Sequence, residues 1–268
     1  MKPSLAGAWF VGCGNMAGAM VEGWHKAGVD LADATAIRPS GTPVPGVRTV
    51  TELPAGSPAL VILGFKPQKL DEVAPGLAPK IRPETIVISI LAGAEAGSLR
   101  QRFPDAHAVV RAMPNLPVSE GRGVVALYSP DADDALRARM SELFAPLGLA
   151  IWTDDEASLA AIGSVAGAGP AYVARFIAAL AKAGEARGLS PDGASRIALE
   201  TVLGTALMAA THNESMGDVA RRVASPKGTT EAGLAILDAD GALDRLVAET
   251  IAAAARRGGE LAEAARKP

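Results

Sequence analysis

The chain has 268 residues, 49% hydrophobic but only 4% aromatic, with 29 glycines, so one large domain or two ordinary ones are affordable, with cores of small side chains. A net charge of −3 offers no basic surplus for nucleic acid. The lone Cys13 excludes an internal disulfide and any cysteine-based zinc cluster, and His25, His107 and His212 lack metal-ligand spacing.

From the N-terminus, Lys2 followed by an apolar run over 5–11 imitates a leader, but Gly12, Gly14 and Asn15 interrupt it. No apolar stretch of about 18 residues is expected anywhere. The expectation is a soluble, unprocessed, cytoplasmic protein without membrane or nucleic-acid partners. Residues 8–11 read as a buried strand, and 16–26 as an amphipathic helix stopped by Gly28. Further strands are predicted at 35–37, 60–63, 85–90, 108–110, 123–128 and 150–152. The run at 60–63 is apolar at every position, as in parallel strands covered on both faces. Helices are predicted near 69–77, 94–102 and 132–147, which makes an open, doubly wound sheet. After about Asp155 only helical patterns follow: Pro170 at one helix start, Gly188 past its end, and Ser190-Pro191 opening the next. Arg256-Arg257 and Arg266-Lys267 suit the end of a final helix.

Residues 12–17 read Gly-Cys-Gly-Asn-Met-Ala and fit the G-x-G-x-x-G/A pattern. A strand before it and a helix after it give the pattern its weight. The glycines let the backbone approach a pyrophosphate, which meets the free N–H groups of the helix start. Gly12, Gly14, Asn15 and Met16 are therefore cofactor-binding candidates; the other reading is a plain strand–helix turn. The second predicted strand ends in Ile37-Arg38-Pro39-Ser40, without the carboxylate that usually binds a ribose 2′-hydroxyl. Arg38, with Ser40, is expected to pair with a 2′-phosphate, giving a preference for NADPH with NADH less favoured; the alternative is a solvated arginine. Lys66-Pro67 follows the strand at 60–63, and Met113-Pro114-Asn115 follows the one at 108–110. Both lie where open α/β sheets bind ligands. Lys66 is otherwise an exposed loop residue, and Asn115 otherwise a turn residue.

Five segments in order resemble the Δ1-pyrroline-5-carboxylate reductases. They are Phe10-Val11-Gly12-Cys13-Gly14-Asn15-Met16-Ala17, Lys66-Pro67-Gln68, Met113-Pro114-Asn115-Leu116-Pro117, Gly167-Ala168-Gly169-Pro170-Ala171-Tyr172, and Ser225-Pro226-Lys227-Gly228-Thr229-Thr230. The resemblance implies NADPH-dependent reduction of 1-pyrroline-5-carboxylate to L-proline, without a metal. It implies a Rossmann-type domain over 1–155 and a helical dimerisation and substrate-binding domain over 156–268. Thr51 stands where the family often has Asn before its Lys-Pro pair and joins the cofactor candidates with Lys66, Pro67, Met113 and Asn115. Gly228, Thr229 and Thr230 would hold the substrate carboxylate, a role that suits a helix start. Thr230 matches the threonine proposed to hydrogen-bond the imine nitrogen; as a hydroxyl without titration near neutral pH it suits a positioning donor better than a general acid. Otherwise both threonines are N-capping residues.

Four departures from the family pattern stand out: Ala166 and Ala168 replace serines, Leu116 replaces threonine, and Lys227 stands where glycine is commoner. They leave open a related cyclic imine as substrate, or a dinucleotide-binding protein without catalysis. A β-hydroxyacid dehydrogenase is disfavoured because residues 164–181 lack a lysine. The apolar surface of the predicted helices near 173–186, 196–210 and 246–264 exceeds what one short bundle buries, so a homodimer or larger homo-oligomer is expected, with the active site between the sheet half and helical segments.

Overall fold

Buried apolar residues Ala8–Val11 form β1, and the chain turns at Gly12 into α1 (Asn15–Lys26). Then come β2 (Thr35–Ile37), β3 (Arg48–Val50), β4 (Leu60–Leu63), α2 (Leu70–Leu77), β5 (Ile86–Ser89) and α3 (Ala96–Arg102). β6 (Ala108–Pro114), β7 (Gly123–Tyr128), α4 (Asp134–Phe144) and β8 (Gly148–Trp152) complete the sheet half. The computed structural model describes residues 3–266; Lys2 and Lys267 lie outside them.

The eight strands form one sheet in the order β3-β2-β1-β4-β5-β6-β7-β8. Only the β6–β7 pairing is antiparallel. The order β3-β2-β1-β4-β5-β6 is that of doubly wound dinucleotide-binding folds, and it reverses between β1 and β4, opening a crevice at the C-terminal strand ends. Apolar side chains face both ways from these strands because both faces are covered. Phe10, Met20, Trp24 and Phe144 pack on one face, and Trp9, Val61, Leu63 and Phe103 on the other. Trp24 is fully buried without an orphaned donor, since its Nε1–H bonds the Leu143 carbonyl at 2.8 Å.

Two sheet expectations need correction. β3 was not anticipated, because Arg48-Thr49-Val50 is an edge strand with only partial burial and no apolar run. β6 continues through Arg111 to Pro114, so Met113 and Pro114 lie in the strand rather than after it. Arg111 interrupts the apolar pattern yet is buried, because Glu156 neutralises it. Pro114 is tolerated where β6 has outrun β5 and pairs only with β7.

The remaining elements are helical: α5 (Glu156–Ile162), α6 (Gly169–Glu185), α7 (Pro191–His212), α8 (Met216–Val223), α9 (Thr229–Asp238) and α10 (Ala242–Arg266). Gly163–Gly167 is a π-helical turn rather than a glycine loop, so helical backbone already precedes Pro170. By length and composition the run Glu156–Glu185 reaches what a membrane span requires, contrary to the expectation that no such stretch occurs, and little of that run is buried in the single chain. Ser190 caps α7 by accepting the Gly193 N–H, with Pro191 first in the helix.

Two compact units result, residues 1–168 with 254–268, and residues 169–253. The second packs α6 on α7 through Ala181, Ala194 and Ala198. Apart from these, Ala209 and Val219 are the buried hydrophobics described in it. Meanwhile Phe176, Ile197, Leu203, Leu207 and Ile236 are exposed, Ile236 at 75%. Such a small core does not stabilise 85 residues alone.

Candidate active site

The crevice between β1 and β4 is built from two close-packed glycines. Gly12 has φ +75°, and a Cβ there would lie 2.7–2.9 Å from Phe65 backbone and Cβ atoms. Gly64, missed by the sequence reading, is equally constrained: its Cβ would fall 2.5 Å from the Gly12 carbonyl and 2.9 Å from Ala17. Gly14 differs. A Cβ on it would meet nothing within 4 Å, so the protein's own packing does not demand this glycine. The open space beside it leaves room for a ligand group to approach the backbone. Gly14 is also the N-cap of α1; no side chain bonds the helix start and its first turn holds no acid. By contrast Asp133, Asp155, Ser190 and Ser215 cap α4, α5, α7 and α8 with side-chain oxygens. The first-turn N–H groups around Asn15 and Met16 are thus available to an anion. These residues fit a dinucleotide pyrophosphate.

The other sheet-edge candidates gather beside this loop. Arg38 directly follows β2, with its N–H on the Val50 carbonyl at 2.8 Å, and its guanidinium donates to the Thr42 carbonyl at 3.0 Å. Ser40 Oγ lies 3.0 Å from Thr42 Oγ1 in the same turn. Thr51 follows β3 and faces Gly41. Arg38, Cys13, Gly14 and Asn15 line one open cavity of about 760 Å³, together with Glu22, Val44, Leu116 and Ser119. Burial pushes the Cys13 thiol up to about 11 despite nearby Arg38, so it is a neutral wall residue rather than a nucleophile. Lys66, exposed, and Pro67 open the 3-10 turn after β4.

Met113 and Asn115 are placed differently. Asn115 is buried and heavily engaged: its N–H donates to the Val124 carbonyl at 3.1 Å, its Oδ1 accepts the Val124 N–H at 2.8 Å, and its Nδ2 donates to the Ala166 carbonyl at 3.0 Å. Met113 lies against Gly163, where a Cβ would overlap its sulfur. Neither contact had a local signal in sequence, since each joins the end of β6 or the residue after it to a segment some 50 residues later.

In the second unit, Gly228 is the N-cap of α9, with Thr229 and Thr230 in its first turn. The threonines are therefore not the cap, and no side-chain oxygen caps this start. The Gly228 N–H is satisfied by the Ser225 carbonyl at 2.9 Å, while the threonine N–H groups have no helical acceptor by position. Lys227 sits at φ +58°, a left-handed conformation costing about 1–2 kcal/mol for a side-chain-bearing residue, which explains the advantage of glycine there. Glu231 offsets this by accepting the Lys227 N–H at 2.6 Å. Glycine-capped helix starts suit anions at both sites, a pyrophosphate at α1 and a carboxylate at α9.

Residues 156–261 match the family described as pyrroline-5-carboxylate reductase dimerisation, and residues 9–93 match that described as NADP oxidoreductase coenzyme F420-dependent. A curated pyrroline-5-carboxylate reductase from Pseudomonas aeruginosa is 36% identical over 263 residues, covering 95% of this chain and 96% of its own. One from Synechocystis is 39% identical over 75% of this chain and 74% of its own. The solved structure of a pyrroline-5-carboxylate reductase from Coxiella burnetii superposes with a TM-score of 0.86 at 29% identity, covering 96% and 98% of the two chains. With near-complete coverage by a relative above 30% identity, the chain belongs to the pyrroline-5-carboxylate reductase family.

Proposed function

We propose that this protein reduces 1-pyrroline-5-carboxylate to L-proline with a reduced nicotinamide dinucleotide, residues 1–155 serving the dinucleotide and 156–268 the substrate and dimerisation. The observation that carries the reading is the pair of uncapped, glycine-initiated helices, α1 at the crevice of the sheet and α9 after Lys227. When bound, the cofactor supplies hydride for the imine carbon. Gly12, Gly14, Asn15 and Met16 seat its pyrophosphate, Arg38, Ser40 and Thr51 flank the adenosine end, and Lys66 and Pro67 border a ribose or the nicotinamide. The Thr229 and Thr230 N–H groups hold the substrate carboxylate, with Gly228 giving it room to approach the helix start. The Thr230 hydroxyl donates towards the imine nitrogen and orients the ring; being neutral at pH 7, it passes on a proton from water rather than titrating.

Steady-state NADPH oxidation across a small panel of cyclic imines tests the substrate. Pyrroline-5-carboxylate should give the highest kcat/KM, and a better ring without a carboxylate would count against the α9 anion site. Thr230→Ala should lower kcat by about 10–100-fold, the low end of acid–base contributions, with NADPH affinity kept. An unchanged kcat would remove Thr230 from the site.

Arg38, directly after β2, supports a preference for NADPH: no carboxylate adjoins it in sequence, and Glu22 of α1 is the acidic residue lining the same cavity. Arg38→Ala should shrink the NADPH-over-NADH ratio of kcat/KM by about 10–100-fold, the equivalent of one charge-assisted hydrogen bond of about 1.5–3 kcal/mol. A wild-type protein that favours NADH would contradict this.

The exposed apolar faces of α6 and α7 support a homodimer, covering Phe176, Ile197 and Leu203 with a second copy. Light scattering at micromolar concentration should return at least twice 27.2 kDa, and a monomer would refute this.

A further inference from the structure

β6 runs one strand-end further than its parallel neighbour. Its last pair with β5 is Ser89–Arg111, so Ala112, Met113 and Pro114 run past β5 while still paired with β7, and Asn115 follows them, on the edge that carries Gly12 and Lys66. What they meet there is the π-helical turn Gly163–Gly167. Met113 presses on Gly163 so closely that no side chain fits, and Asn115 Nδ2 bonds the Ala166 carbonyl at 3.0 Å. A π-turn withdraws carbonyls from the regular i→i−4 ladder, and such turns recur at functional sites. Here Asn115 supplies a donor to one such carbonyl. Gly167, at the end of the turn, is exposed, and a Cβ on it would meet nothing within 4 Å, so that end of the turn borders open space.

We propose that Asn115 and Met113 are positioning residues: they pin the π-turn Gly163–Gly167 at the ligand-bearing edge of the sheet, so that its open backbone forms a wall beside the reacting end of the cofactor. This rests on the reductase function proposed above. It replaces direct cofactor contact as the role of Asn115. The Asn115 acceptor and one of its two amide hydrogens are already used, and its side chain is buried. The same clamp accounts for alanine at position 166, since the backbone carbonyl rather than a hydroxyl makes the bond.

Asn115→Asp separates the two bonds, because aspartate still accepts the Val124 N–H but cannot donate to Ala166. Hydrogen exchange of the full-length protein should show faster exchange at 163–169 in Asn115→Asp, with β7 protection kept. NADPH titration by fluorescence should give a Kd within about threefold of wild type, while kcat falls about 10–100-fold, the scale expected when a site is displaced by about 1 Å. Gly163→Ala should reproduce these effects by colliding with Met113, and Gly163→Ala combined with Met113→Ala should recover part of the lost kcat. Wild-type exchange at 163–169 in Asn115→Asp would overturn the clamp. A Kd raised more than tenfold with kcat intact at saturation would overturn the positioning role in favour of direct cofactor contact. Because exchange and NADPH binding need no substrate, they report on the clamp even if the imine proves to be another compound; failure of the reductase function alone would appear as absent turnover in wild type.

Discussion

Replacing Glu156 with alanine is expected to lower the melting temperature by about 6–12 °C. Glu156 opens α5, and one carboxylate oxygen accepts the Ala96 N–H at the start of α3 at 2.8 Å. Its other oxygen pairs with Arg111, whose side chain is only 8% exposed. Without the carboxylate, a buried guanidinium that already has no partner at Nε loses its charge partner, and an α3 N–H loses its acceptor. Removing one member of a buried pair destabilises by about 3–5 kcal/mol; the 30% exposure of Glu156 argues for the lower end. At about 2–4 °C per kcal/mol for a protein of this size, the shift follows. Calorimetry at fixed protein concentration decides it. A change below about 2 °C would show that solvent already screens Arg111. Replacing both residues, Arg111→Met with Glu156→Leu, should recover most of the loss, since no unpaired charge then remains.

Gly12→Ala is expected to abolish measurable dinucleotide binding as well as to destabilise the fold. Its φ of +75° penalises any Cβ by about 1–2 kcal/mol. The collision is with Phe65 backbone, which cannot rotate away, adding an overpacking cost of about 1–3 kcal/mol. Relief requires β1 and β4 ends to separate, which displaces the loop bearing Gly14 and Asn15. Gly14→Ala is the informative partner. Nothing in the protein opposes its methyl group, so the fold should keep its wild-type melting temperature while NADPH affinity falls. Equal loss of stability in both variants would mean that Gly14 serves folding rather than a ligand. Melting curves and fluorescence titration with NADPH give both readouts.

These contrasts show which parts of the molecule were legible in the amino-acid sequence. Buried parallel strands such as Leu60–Leu63 declare themselves, because covering both faces makes every position apolar. The glycine loop was legible from its place between strand and helix. β3 was not, because an edge strand of three partly exposed residues has neither period nor hydrophobic run. The end of β6 was obscured by Arg111, whose burial depends on a carboxylate 45 residues away. Residue type alone does not reveal such pairs. At Asn115 the chemistry was visible but its object was not: a donor and an acceptor could serve a carboxamide or a protein backbone, and the fold spends them on Val124 and Ala166. At Lys227 the resemblance marked a departure from glycine, and the structure supplies its cost in one left-handed dihedral angle.

The central claim is hydride delivery to the imine carbon of a carboxylate-bearing ring. It is tested most directly by incubating the protein with pyrroline-5-carboxylate and NADPH carrying deuterium at nicotinamide C4, in the stereochemical form that is transferred, and analysing the product. The account predicts L-proline with one deuterium at C5, formed in equal amount to the NADPH oxidised. Proline without deuterium, or NADPH consumed without proline, would contradict it.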